Sequence, residues 1–164
     1  MSGVSRANTE RPYWVAWSQI PQVGPVRLQR LWQHFGNMAT AWQADLSTLM
    51  AVEGIGLATA MEIDQGRSQI DVTSAYRDYA EANPQFWTPS DADYPRLLLE
   101  IPDPPPLLHY RGQVNSAENQ AQALGVAIVG TRQPTEYGRR WTYRIAQALA
   151  RAGVTVISGL ADGI

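Results

Sequence analysis

Apolar positions recur at helical spacing through the first third of the chain and give way later to short extended runs. Val15–Gln19 leads into a turn at Pro21–Gly24, and Pro25 suits the first turn of a helix, where its missing N–H goes unused. Val26, Leu28, Leu31, Trp32 and Phe35 then form a mostly helical stripe, stopped by Gly36 and Asn37. Further helical stretches are predicted over Met38–Trp42, Asp45–Ala51 and Ala58–Ile63, with the short connections of a small helical bundle. From about residue 69 the pattern changes. Phe86–Thr88 reads as a short strand, followed by an acidic turn at Ser90–Asp93 and an apolar stretch at Leu97–Ile101. Asp103-Pro104-Pro105-Pro106 suits neither helix nor central strand, and Leu107–Gly112 reads as an extended strand ending in a glycine turn. Ser116–Ala123 is polar, loop-like or briefly helical.

The last forty residues are more regular. Val126–Val129 is a continuous apolar run of the kind buried on both faces of a parallel sheet. After Gly130-Thr131-Arg132 and a turn over Gln133–Gly138, Trp141–Ala152 is predicted helical, with Ile145, Ala148, Leu149 and Ala152 on one face. Gly153 ends it, Val154–Ile157 is a second buried strand, and Ser158–Gly163 leaves that strand as a loop of small residues. Strand, loop, helix, strand, loop is the opening of a doubly wound sheet, in which ligands gather beyond the carboxyl ends of the strands. Both loops lie there. Gly130 lets a ligand approach the backbone, and Arg132 has the forked donors that grip a phosphate. Ser158 and the amides of 159–163 add neutral donors for a second phosphate or a sugar. The competing reading is that both loops only reverse the chain and that Arg132 is solvated. There is no G-x-G-x-x-G after the first strand, and Ser158 stands where a ribose-binding acid would end the second, which points away from NAD-dependent chemistry.

Composition narrows the choice. The 164 residues include no cysteine, and all 13 basic residues are arginine. Disulfide frameworks, thiolate zinc sites, cysteine nucleophiles, the lysine phosphate loop and Schiff-base lysines are therefore excluded. His34 and His109 lie far apart with no partner at metal-ligand spacing, so no metal site and no cofactor is expected. The first eleven residues lack an apolar signal region, and no apolar run approaches a membrane span, so a cytoplasmic location without membrane contact is the expectation. Net charge is −2 overall, yet residues 125–164 carry five arginines against two acids, and only this segment looks able to attract an anion. Arg139, Arg140 and Arg144 there form either a basic rim or an ordinary solvated face. Trp14, Trp17, Trp32 and Trp42 sit at helical spacing in apolar surroundings and read as core rather than as a stacking platform for bases.

A weak internal repeat sits in the helical part. Val23-Gly24-Pro25-Val26-Arg27-Leu28 aligns with Ile55-Gly56-Leu57-Ala58-Thr59-Ala60, each an apolar residue, a glycine and a new helix. The second copy, with Gly54 and Gly56, has the G-x-G hairpin of helix-hairpin-helix modules, whose amides can hold a DNA phosphate without reading sequence. Its alternative is a hairpin that needs glycine for packing alone, which the scarcity of flanking basic residues favours.

Val126–Arg132, Tyr137-Gly138 and Ser158–Ile164 resemble the signature of the DNA-processing protein A family (DprA, also called Smf). Asp93-Tyr94-Pro95, Leu97-Leu98, Asp103-Pro104-Pro105, Leu107-Leu108 and Gly112 are similar to the family's lead-in, and the helical module with Ile20-Pro21 and Val23-Gly24 is similar as well. The resemblance implies an α/β fold class. Residues 1–68 would be a small helical domain of helix-hairpin-helix/SAM-like type, and 69–164 the truncated start of a Rossmann-like doubly wound parallel sheet. It implies binding and protection of single-stranded DNA, with loading of the RecA recombinase during natural transformation and no enzymatic step. Gly130, Thr131 and Arg132 correspond to the family's phosphate-contact loop, and Ser158, Gly159, Ala161 and Gly163 to its second loop. Gly54, Gly56, Arg139 and Arg140 are secondary candidates. Asp162 stands where members often carry a basic residue. Because the chain stops at Ile164, most of the sheet, the dimerisation surface of a homodimer and the RecA contact are expected to lie outside it. Two alternatives remain: an enzyme of the related nucleoside-monophosphate phosphoribohydrolase type, and a remnant that folds only in its helical part.

Overall fold

The computed structural model describes residues 5–164, with side chains from Thr9 onward. Helix α1 (Ser5–Ser18) contains Pro12. An interior proline costs a helix about 3 kcal/mol, and the burial of Trp14, Val15, Ala16 and Trp17 along the following turn outweighs it. α2 (Pro25–Phe35) begins with the predicted proline and ends at Gly36 in the left-handed conformation, φ 70°. α3 (Met38–Gln43), α4 (Leu46–Leu49) and α5 (Leu57–Ser68) follow. Polar caps fix two of these starts: Asn37 accepts from the Thr40 amide and Asp45 from the Thr48 amide. That backbone bond, with help from the Thr48 and Ser47 hydroxyls, holds the Asp45 carboxyl down at about 2.

Between these helices lies one apolar core built on Trp14, Trp17, Leu28, Leu31, Met38, Leu49 and Ile63. The tryptophans belong to it as expected. Trp14 and Trp17 are buried, while Trp32 and Trp42 pack against them edge to face at 5.6 and 5.1 Å. Trp17 donates to the Met38 carbonyl at 3.1 Å, and the Met38 amide donates to buried Glu10 at 3.1 Å, so α1 and α3 are joined by satisfied polar groups as well as by packing.

The helical part continues past residue 68. α6 (Val72–Ala82), capped by Asp71, packs on α1 through half-buried Val72, Ala75, Tyr76 and Tyr79. Then come β1 (Phe86–Trp87) and β2 (Leu108–His109), paired antiparallel with Phe86 opposite His109 and Trp87 opposite Leu108. Both are shorter than predicted. A buried turn closes off β1, with Asp91 accepting from the Thr88 amide and hydroxyl and from Arg11, and most of the apolar stretch Leu97–Ile101 lies in a 3-10 helix over Arg96–Glu100. Tyr94 is buried and donates to the Pro105 carbonyl at 2.9 Å, and burial pushes its hydroxyl up to about 12.

The chain up to Gln113 forms one compact unit, and Val114–Ile164 a second. The second holds α7 (Ser116–Asn119), β3 (Gly125–Ala127), α8 (Glu136–Arg151) and β4 (Thr155–Ile157). β3 and β4 are parallel, with Val126 beside Val156, so the predicted strand–helix–strand order is present. Two expectations need correcting. Neither predicted strand is buried on both faces: β3 is exposed, Val129 just beyond it is 83% exposed, and β4 is only half-buried with Ile157 53% exposed, because two strands and one crossover helix leave most of the sheet surface uncovered. The helix starts at Glu136, capped by the Thr135 hydroxyl, so the predicted turn over Gln133–Gly138 is shorter. Its covered side carries Gly138, Thr142, Ala146 and Leu149, whereas Ile145, Ala148 and Ala152 face solvent. Small residues lie where the helix is covered, and they give a weaker hydrophobic signal than the apolar stripe opposite.

Candidate nucleic-acid interface

Both predicted loops leave the carboxyl ends of their strands, Gly130–Arg132 after β3 and Ser158–Gly163 after β4, and the fold brings them into contact. The Ile164 amide donates to the Thr131 carbonyl at 3.2 Å. Gly163 has φ +117°, and a Cβ there would overlap the Thr131 carbonyl oxygen and come within 2.7 Å of the Arg132 Cα. Gly130 is equally constrained, since a Cβ would lie 2.7–2.8 Å from the Ile164 side chain, which also reaches toward Gly138 at the start of α8. Thus Gly130 and Gly163 are required by the fit of one loop against the other, beyond any approach of a ligand. Ile164, absent from the predicted site residues, forms part of that fit.

Polar groups around this junction are exposed. Thr131 accepts from the Gln133 amide at 3.2 Å, and Ser158 accepts from the Leu160 amide at 3.3 Å, so each hydroxyl shapes its own loop and keeps its O–H available as a donor. Gly159 and Ala161 are exposed, and the space a Cβ would fill at Gly159 is open. Arg132, Arg139 and Arg140 are exposed, and among the described residues the ion pairs of the chain involve other arginines. Arginines outside any described ion pair, together with hydroxyls whose O–H can still donate, suit an anion with several oxygens, such as a phosphodiester. Asp162 lies exposed in the second loop and lowers the local positive potential. Among the described residues no cluster of three or more histidines, aspartates and glutamates could hold a metal, and no helix is long and apolar enough to cross a membrane.

The hairpin repeat is a physical repeat, and more extensive than the sequence indicated. At an offset of 32 residues, Gln22 (φ 67°) matches Gly54 (φ 81°), and buried Val23 matches buried Ile55. Gly24 and Gly56 then precede α2 and α5 with nearly identical backbone angles and no side-chain cap. The amide of Val23 donates to Ile20, and that of Ile55 to Val52, closing equivalent turns. The two copies are tied together by arginines. Arg27 donates to the carbonyls of Gln22 and Gly54, the two matching left-handed positions, and Arg30 donates to the Glu53 carbonyl and pairs with its carboxylate at 3.1 Å. The cations nearest the Gly54–Gly56 hairpin are therefore engaged in holding the module together.

Residues 85–164 match the family model described as DNA recombination-mediator protein A. The chain is 50% identical over 158 residues to Protein Smf of Synechocystis, an alignment covering 96% of this chain and 40% of that protein. It is 36% identical over 75 residues to DNA processing protein DprA of Bacillus subtilis (46% of this chain, 24% of that protein). It is 38% identical over 77 residues to Protein Smf of Escherichia coli (46% and 20%). The chain spans at most 40% of the length of these relatives.

Proposed function

The chain matches the DNA-processing protein A (DprA/Smf) family, and from that premise we propose that it binds single-stranded DNA through the paired loops after β3 and β4. Gly130, Thr131 and Arg132 take one phosphate, with Arg132 as the charged fork. Ser158, Gly159, Ala161 and Gly163 present hydroxyl and amide donors to the next. The observation that carries the reading is the interlock of the two loops beside exposed Arg132, which is in no ion pair among the described residues. No residue is assigned a chemical step; the activity is binding. Arg139 and Arg140, on the first turns of α8, extend the positive field. Gly54 and Gly56 are the weaker secondary contact, since Arg27 and Arg30 are committed to backbone carbonyls.

The same premise supports the finer architecture we propose. The helical part is read as a helix-hairpin-helix/SAM-like module, supported by the two hairpins at a 32-residue offset. The parallel β3–α8–β4 unit is read as the opening of a Rossmann-like sheet. The division at 68/69 is part of this family reading, whereas the compact unit of the structure runs on to Gln113 with α6 packed on α1. For the whole protein we propose the role the family implies: protection of single strands in the cytoplasm and delivery to RecA during natural transformation, by a homodimer.

Fluorescence anisotropy of a labelled single-stranded oligonucleotide, at two salt concentrations, tests the site. Binding should weaken steeply with salt, because arginine–phosphate contacts release counterions. Arg132→Ala should lower affinity at least tenfold, about 1.4 kcal/mol. Binding that ignores both salt and the Arg132 substitution would overturn the assignment.

A further inference from the structure

α8 exposes an unusual face. Tyr137, Arg140, Trp141 and Arg144 stand at i, i+3, i+4 and i+7, one above another on the side away from Gly138, Thr142 and Leu149. Tyr137 is 67% and Trp141 44% exposed. The residues touch: the Tyr137 and Trp141 rings are 6.1 Å apart at 59°, and the Arg144 guanidinium lies 5.6 Å from the Trp141 ring centroid. Glu136 is the only acid on this helix, and among the described residues neither arginine of the face is in an ion pair. Single exposed aromatics are ordinary, but two in contact, alternating with two unneutralised arginines, form a contiguous patch that is both apolar and positive. Such a patch favours a partner with flat apolar faces strung on an anionic backbone. An acidic peptide would satisfy the charge and leave the rings uncovered.

We propose that this face of α8 is a base-stacking platform for single-stranded nucleic acid, with Trp141 and Tyr137 taking bases while Arg140 and Arg144 follow the phosphates. The proposal rests on the DNA-binding reading above and extends it from phosphate contacts at the two loops to contacts with the bases. Trp141 is the central residue, since it alone touches both a ring and a guanidinium of the face. Stacking of this kind tolerates any base, because every base has a π-face.

The test compares a labelled oligothymidylate with an abasic strand of equal length, which keeps the phosphates and lacks the bases, by anisotropy on the full chain. The abasic strand should bind at least fivefold more weakly, the lower end of what one stacked base contributes. Trp141→Ala should weaken oligothymidylate binding at least fivefold and leave the abasic strand's affinity within twofold. Trp141→Phe should retain most of the binding. Trp141 is half-exposed and alanine favours helix, so circular dichroism should show the fold unchanged. Equal affinity for the two strands, or loss of both together in Trp141→Ala, would overturn the platform while leaving the phosphate site standing. If neither strand binds the unsubstituted chain, the DNA-binding reading falls and the platform with it.

Discussion

Glycine at this junction does two jobs that a sequence does not separate. Gly163 combines a φ of +117° with a backbone so close to Thr131 and Arg132 that a methyl group has no room. Gly159, four residues earlier, faces open space with an ordinary φ. Both read as small loop residues that admit a ligand, yet only Gly163 is also required by the fold. Gly163→Ala should therefore cost about 1–3 kcal/mol of local stability, through a disfavoured φ and a backbone clash. Hydrogen exchange of the Ile164 amide, which donates to Thr131, should accelerate in Gly163→Ala and stay unchanged in Gly159→Ala. Equal effects of the two substitutions would show that the loops do not interlock as described. Ile164 itself gave no signal as a site residue, because an aliphatic side chain carries no binding chemistry. Its part is visible only in the space it takes against Gly130.

At the scale of elements, legibility followed how strongly burial was written into side-chain type. α2 was readable because proline begins it, glycine ends it and leucines mark its buried side. α6 was not, because small residues and two tyrosines line its packed side and make a faint stripe. On α8 the helical period is legible, but Ile145, Ala148 and Ala152 lie on the exposed side and of the predicted face only Leu149 is covered, so the pattern does not tell which side packs. The hairpin repeat was half legible: its glycines and apolar residues could be aligned, but the arginines that join the copies were counted only as charge. Arg27 reaches the carbonyls of Gln22 and Gly54, both in left-handed backbone at equivalent positions, and so bridges the two turns. Arg27→Ala should destabilise the helical unit by about 1–2 kcal/mol, as expected for charge-assisted bonds on a partly exposed surface. Thermal unfolding should register it, and the affinity for single-stranded DNA should stay within twofold. A large loss of affinity with unchanged stability would reverse that assignment and make the hairpin a principal DNA contact.

At the scale of the molecule, apolar burial is unevenly shared. Every residue of the buried core lies in the unit ending at Gln113, while no residue of Val114–Ile164 is fully buried and Leu160 is 96% exposed. The strands of the second unit are three residues each, joined by few hydrogen bonds over a thinly covered sheet. Local opening should therefore be far easier there, since opening free energy tracks buried apolar contact. The amides of Ile128, bonded to Ile157, and of Thr155, bonded to Leu124, should exchange at least a hundredfold faster than those of Leu28 and Ala60, bonded to Gly24 and Gly56. On the proposed reading single-stranded DNA is a ligand of the closed loops, so by mass action a saturating strand should slow exchange at Ile128 and Thr155 while leaving Leu28 and Ala60 unaffected. Slowing confined to the helical unit would move the interface to the hairpins. Equal protection of both units without DNA would mean that the second unit's stability comes from contacts other than the burial described. A site carried by the more weakly held unit would be ordered by its ligand, so DNA affinity should rise with any substitution that stabilises β3 against β4 without touching the loops.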